Sequence, residues 1–466
     1  MAARIAVHGH FYQPPRENPW TGTIEVQQGA APYRDWNERV HAESYRPNTR
    51  VELADGRVVN NFEKLSFNVG PTLLAWMQEA DRDTYDAIVG ADHGNAMAQA
   101  YHHTILPLSP VRDVRTQVRW GLRDFELRFG RRSEGIWLPE TAADDRTVDV
   151  LIEEGVGFTI LAPGQAASDG PLDTTVPYRV EHSDGSGRFL TVMFYDGDIS
   201  HAIAFDGAAR SAEGLTGLFE ARSGEGCRLV HSATDGETFG HHQKFSDLGL
   251  AYALFVEAPK RGLEVVSYPE FLSECPPERS IRLRPGGTSW SCAHGVGRWN
   301  EDCGCSTGGE EGWNQKWRGP LRRALEVIRQ AADDVYERAG REVFTHPWGA
   351  RDRDIDVVSG AIELEEFVVR ETGGDAFMAR AAALLDLQRY ALSMYTSCGW
   401  FFNDLAGIET VQVMLYAART MELLEGLGAS APREEFLSIL GEAQSNDPDE
   451  GSGAEIFERA VGAAKP

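Results

Sequence analysis

Two short stretches of the chain set acidic residues where they could act on sugars. In Gly135-Ile136-Trp137-Leu138-Pro139-Glu140, an apolar run ends with a carboxylate close to an aromatic ring, and a proline stiffens the step between them. A carboxylate beside an anomeric carbon can attack it or stabilise its developing positive charge, while sugar rings lay their C–H faces on aromatic ones. In Asp235-Gly236-Glu237-Thr238-Phe239-Gly240-His241-His242, two acids follow the apolar run 228–230. Residues two apart on an extended backbone face one side, so Asp235 and Glu237 are expected to be close. Like charges held close keep one carboxylic acid protonated near neutrality, as an acid catalyst requires. Taken singly, Glu140 reads equally as a helix cap and Asp235-Gly236 as a solvated turn. Taken together, paired carboxylates from two strand ends suit glycosidic bond cleavage. Their separation would be about 5–5.5 Å in a retaining enzyme and about 6.5–9.5 Å in an inverting one.

The elements that must position these groups are legible as runs at 4–7, 65–69, 87–91, 135–138, 157–161, 190–194, 228–231 and 264–267. Most are continuously apolar, as strands buried on both faces are. Helical patterns lie between several of them, for example at 112–129 and 248–258. Such alternation implies a parallel sheet. Nearly every run ends in reactive polar residues: His8-Gly9-His10, Asp92-His93-Gly94-Asn95, Pro139-Glu140-Thr141, Asp196-Gly197-Asp198 and Asp235-Gly236-Glu237. Active sites of parallel barrels collect at the carboxyl ends of strands, which favours a barrel over an open sheet. The expected division is a (β/α) barrel over 1–272, a Gly/Cys/Trp-rich insertion over 273–318 and a helical domain over 319–466. Helices are predicted at 355–371, 376–396 and 406–426, and a loosely docked tail over the last twenty or so residues.

The composition, 42% hydrophobic and 25% charged, is that of a folded soluble protein. A net charge of −26 argues against nucleic acid and anionic membrane as partners and leaves a neutral polymer as a fitting one. No signal-peptide core fits the opening residues and no run is long enough to span a bilayer. Six cysteines are too sparse for a disulfide framework, so a reducing cytoplasm is the expected location.

The same residues resemble glycoside hydrolase family 57, which contains α-amylases, 4-α-glucanotransferases and branching enzymes. His8-Gly9-His10-Phe11-Tyr12-Gln13-Pro14-Pro15 is similar to its first conserved region, and Tyr101-His102-His103-Thr104-Ile105-Leu106-Pro107-Leu108 to its second. Trp137-Leu138-Pro139-Glu140 matches the third, and Asp235-Gly236-Glu237-Thr238-Phe239-Gly240-His241 the fourth. In the fifth, Ser397-Cys398-Gly399-Trp400-Phe401-Phe402, Gly399 stands where the family carries a sugar-binding aspartate, and Asp404 is the substitute expected. The opening segment and Cys398–Asp404 look like an uncharacterised branch of the family. The resemblance implies a distorted (β/α)7-type barrel followed by a C-terminal helical bundle. It also implies a retaining mechanism on α-glucans or maltooligosaccharides and no required cofactor or metal. Glu140 would be the nucleophile and Asp235 the acid/base. His10, Gln13, His103, Trp137, Asp196, Glu237, His241, Trp400 and Asp404 would hold substrate, with the sugar ring lying against Trp137.

Two other classes stay open at this point. A metal-dependent deacetylase or α-mannosidase-like hydrolase would use His8, His10, Asp92 and His93 as ligands. A non-catalytic glucan-binding protein would keep the scaffold without the reaction. In the insertion, Cys292, His294, Cys303 and Cys305 are candidates for a structural zinc, although their spacing differs from paired Cys-x-x-Cys knuckles. Trp290, Trp299, Trp313 and Trp317, in the same Gly-rich stretch, read either as core or as a substrate-facing loop.

Overall fold

A computed structural model describes residues 3–168, 170–224 and 226–466. The chain divides into two compact units. The first comprises the chain through Gln13, then Val26–Ala100 and Phe125–Trp290; the second comprises Pro14–Glu25, Tyr101–Asp124 and Ser291–Pro466. The units therefore part at 290, inside the stretch expected as an insertion, and two earlier segments belong with the helical part.

Seven parallel strands build the first unit: β1 (Ala3–Phe11), β2 (Ser66–Val69), β3 (Ala98–Gln99), β4 (Ile136–Trp137), β5 (Phe158–Leu161), β6 (Phe189–Phe194) and β7 (Leu229–Asp235). β1 is central, pairing with β7 along its length and with β2 at its carboxyl end. A short strand β8 (Leu263–Val265) pairs with its first residues. Ladders join β3 to β4 and β5 to β6, while single bridges, Phe67 to Ala96 and Gly135 to Phe158, connect β2 to β3 and β4 to β5. One backbone bond, from Asp196 N–H to the His231 carbonyl, links the end of β6 to β7. The order follows that of the expected distorted barrel, but the ladders do not run on into a continuous closed barrel. Ile5, Val7, Leu161, Val192 and Leu229 are fully or almost fully buried. Each such side chain is worth about 1.5–3 kcal/mol of burial.

The predicted strand at 87–91 is absent. Those residues close a helix, Arg82–Val89, whose amino end is capped by the Asp81 carboxylate and which buries Tyr85 and Ile88. The third parallel strand is instead the two-residue β3. Cys227 and Cys275, two of the six cysteines read as too sparse for a disulfide framework, form a disulfide.

In the second unit, helices α1 (Arg318–Val343), α2 (Met378–Ser393) and α3 (Ile408–Gly426) pack on one another. Leu321, Leu325 and Ile328 of α1, Leu384 of α2 and Met414 of α3 are buried at helical spacing. The expected loose tail is an ordered helix, Gly453–Ala464. A Ser452/Glu455 capping box starts it, and Phe457 packs on Phe436. Among the described residues, no helix is long and apolar enough to cross a membrane.

Candidate active site

The carboxyl ends of the strands in the first unit gather three acids: Glu140, Asp235 and Glu237. The parallel register places His10 of β1 opposite Asp235 on one side and Asn68 on the other. Gly236, between the two acids of the second motif, has to be glycine. A Cβ there would stand 2.3 Å from the Phe11 ring. The extended backbone expected through Glu237 ends at Asp235, where Gly236–Thr238 winds into a 3-10 turn. Glu237 is turned inward by it and is 6% exposed, while Asp235 stays open to solvent.

These environments set different proton affinities. Crowding by protein and the negative charges of Glu237 and Glu140 push the Asp235 pKa well above the usual carboxylate range. Because water still reaches Asp235, the like charges are the sturdier of the two causes. Glu237 is raised to about 7 by burial, against the pull of Tyr45 and the Tyr12 N–H. The Tyr45 hydroxyl donates to Glu237 Oε1 at 2.6 Å and the Tyr12 N–H donates to it at 2.9 Å. Gln13 Nε2 donates to the Tyr45 oxygen at 3.2 Å, so Gln13 reaches the acid through a phenol.

Glu140 sits on strained backbone. Both it and Thr141 have left-handed φ, 57° and 50°, which ordinary side chains rarely adopt. The surroundings hold the turn in place. Thr141 Oγ1 donates to Gln165 Oε1 at 2.8 Å, and Gln165 Nε2 donates back to the Thr141 carbonyl at 2.8 Å. Trp290 grips Glu140 twice: its indole N–H donates to Oε2 at 2.9 Å and its backbone N–H to the carbonyl at 3.1 Å. Tyr195 is edge-on to the Trp290 ring at 6.5 Å and feels the Asp235 charge.

Other predicted substrate contacts are used up inside the protein. Trp137 is fully buried, with His8 and His10 stacked on it at 4.7 and 5.1 Å. It cannot be the sugar platform. The partly exposed Trp290, edge-on to it at 5.2 Å, is the aromatic next to the carboxylate. Asp196 caps the helix Gly197–Ala204 through Ile199 N–H and pairs with Arg222 at 2.8 Å. Its carboxylate is therefore structural. His241 Nδ1 lies 2.5 Å from Glu43, with its ring edge-on to Trp36.

His103, Trp400 and Asp404 belong to the second unit and find partners there. His103 is 2% exposed, lies 2.6 Å from Ser397 Oγ, and has its pKa lowered to about 3 by burial. Trp400 is fully buried, donating to the Arg318 carbonyl. Asp404 accepts from Ser445 Oγ and from the N–H groups of Ala406 and Asn446, which occupies the carboxylate expected to replace a missing sugar ligand. The missing aspartate has a steric reason, since a Cβ on Gly399 would stand 2.9 Å from a Val413 methyl.

The ligands of the metal-dependent alternative are likewise committed. The two His8 ring nitrogens face Ser66 and Asn68 at 3.2 and 3.0 Å, Arg131 bonds both Asp92 oxygens, and His93 Nε2 meets the Glu63 carbonyl. Trp290, Gln165, Tyr45, Asn68 and Tyr195 were not among the predicted site residues. Trp290 falls in the Gly-rich segment the sequence did mark, and Tyr195 lies between the run 190–194 and its polar end Asp196-Gly197-Asp198.

Comparison with known proteins gives the following. The model described as "Glycosyl hydrolase family 57" matches residues 7–284, and one described as "Domain of unknown function (DUF3536)" matches 313–465. No curated protein sequence matches. Among solved structures, the exo-type maltose-forming amylase from Pyrococcus sp. ST04 is 16% identical. That match covers 100% of this chain and 88% of that one, with a TM-score of 0.75. The GH57-type branching enzyme from Pyrococcus horikoshii is also 16% identical, covering 100% and 97% with a TM-score of 0.61. The 4-alpha-glucanotransferase from Thermococcus litoralis, at 16%, covers 91% of this chain and 60% of that one, with a TM-score of 0.58. At this identity the structures establish a shared fold, while the family model spans more than half of the chain: it belongs to glycosyl hydrolase family 57.

Proposed function

We propose that the chain is a retaining enzyme that cleaves or transfers α-glucosidic bonds in α-glucans or maltooligosaccharides. The observation that carries this reading is the triad of carboxylates at the strand ends, two of which, Asp235 and Glu237, have their protonated forms favoured. Glu140 is aimed by an indole N–H, and Asp235 has its protonated form favoured by two acidic neighbours. In the first half-reaction Glu140 attacks the anomeric carbon while Asp235 gives its proton to the departing oxygen. In the second, Asp235 takes a proton from water or from a sugar hydroxyl as that oxygen displaces Glu140. Glu237, held by Tyr45 and Tyr12, keeps the Asp235 pKa high. Trp290 offers the sugar an aromatic surface beside the nucleophile. Membership of family 57, and the maltose-forming, branching and glucan-transferring activities for which its structural neighbours are named, support this substrate class.

The test is incubation with maltoheptaose, amylose and glycogen, with products profiled and the anomer first released read by NMR. The expected result is an α-anomer from wild type and a loss of at least about a thousandfold, about 4 kcal/mol of barrier, in both Glu140→Ala and Asp235→Ala. A β-anomer, or a loss below tenfold in either variant, would overturn the assignment.

A further inference from the structure

In the second unit, the stretch between Ser291 and Trp317 contains one short 3-10 turn, Gly297–Trp299, and no strand or longer helix. Irregular chain of this length has few ladder bonds to hold it, and a metal clip that closes it restricts the unfolded chain and so adds stability. Four side chains converge inside it. Cys292, His294, Cys303 and Cys305 each offer a ligand atom, and all four atoms lie within 4.8 Å of one another. Cys292 Sγ is 3.8 Å from Cys303 Sγ, and Cys305 Sγ is 3.5 Å from His294 Nδ1.

Those two distances match the edges of a tetrahedron around zinc. With bonds of about 2.3 Å to sulfur and about 2.0–2.1 Å to nitrogen, a tetrahedral site separates two sulfurs by about 3.8 Å and a sulfur from a nitrogen by about 3.5 Å. The backbone is arranged to suit. Gly304, with a left-handed φ of 78°, turns the chain between two successive sulfurs. The buried Arg318, at the start of α1, donates to the Cys305 carbonyl at 2.9 Å, tying the loop to the helix with a cation close to the thiols.

From this convergence we propose that Cys292, His294, Cys303 and Cys305 form a tetrahedral structural zinc site that staples the segment 291–317. The site is separate from the sugar chemistry, which needs no metal in the reading above. Three thiolates and an imidazole select a borderline-soft ion such as zinc over magnesium or calcium. Four protein ligands leave no open position, which makes the role structural. On binding, the thiols release their protons to solvent as the sulfur–metal bonds form.

The experiment uses the full chain, purified under reducing conditions, loaded with zinc and desalted. One zinc per chain by elemental analysis is expected. Cobalt loaded in its place is expected to show the visible bands of tetrahedral coordination with thiolate charge transfer. Cys303→Ser and His294→Ala should weaken zinc binding by more than the 10–100-fold, roughly, that a supporting partner is worth, while Cys398→Ser binds as wild type does. If the variants do not fold, the cobalt spectrum of wild type decides. The proposal is overturned by substoichiometric zinc after loading, by an octahedral or thiolate-free cobalt spectrum, or by a Cys303→Ser variant that keeps its zinc.

Discussion

In the helical unit, the Arg351 guanidinium meets Asp113 at 2.8 Å, Arg353 grips Glu371 with two bonds, and Arg389 does the same to Asp354. In the strand unit, Glu237 is held by a phenol and a backbone N–H, and Glu140 by an indole. The contrast separates two uses of a buried acid. The arginine-paired acids fix helices in place, whereas Glu237, held by neutral donors, has its protonated form favoured by burial. The second arrangement is unfavourable for folding, and such costs concentrate where chemistry is done.

The difference can be broken from either side. Asp235→Asn keeps a neutral side chain but deletes the proton the acid would give up, so it should cost at least about a thousandfold in kcat while the melting temperature holds or rises. Arg351→Met does the reverse in kind: it leaves Asp113 buried without its cation and should destabilise the fold by about 3–5 kcal/mol, read by urea unfolding. Next in size is a pH effect. The Glu237 pKa is raised from 4.5 to about 7 on folding, so its stabilising contribution is complete below 4.5 and lost as pH rises through 7. Glu237→Gln should therefore match wild type at pH 4 and exceed it at pH 8 by up to about 3 kcal/mol. A difference that shrinks with rising pH would contradict the assignment. The smallest change expected is in Trp290→Phe, which keeps a ring but deletes the indole donor. A hydrogen bond to a charged group is worth about 1.5–3 kcal/mol, so kcat should fall about tenfold or somewhat more, with KM moving less.

How far the sequence reached follows from the range of each signal. Strands buried on both faces read as unbroken apolar runs, and the acids that end them, Glu140 and Asp235, are local to those runs. β3, only two residues long, carries no periodicity, and the apolar run at 87–91 begins as the last turn of a helix, where Ile88 is buried. The terminal helix was hidden behind Asn446–Gly453, whose turn-forming residues masked the Ser452 cap. The partners that make the acids usable are distant in sequence. Tyr45 lies 192 residues from Glu237 and Gln165 lies 24 from Thr141, and no spacing rule links them. Burial was equally invisible: Trp137, expected to face the sugar, is fully enclosed, and Trp290 is the partly exposed ring beside Glu140.

The two bonds from Trp290 to Glu140 also bear on how the protein comes into being. The glutamate precedes the indole by 150 residues, so it leaves the ribosome long before the group that aims it. A nascent chain, or one cut before residue 290, carries the acid but lacks both bonds that orient it, and the proposed nucleophile is aimed only with the last segment of the strand unit.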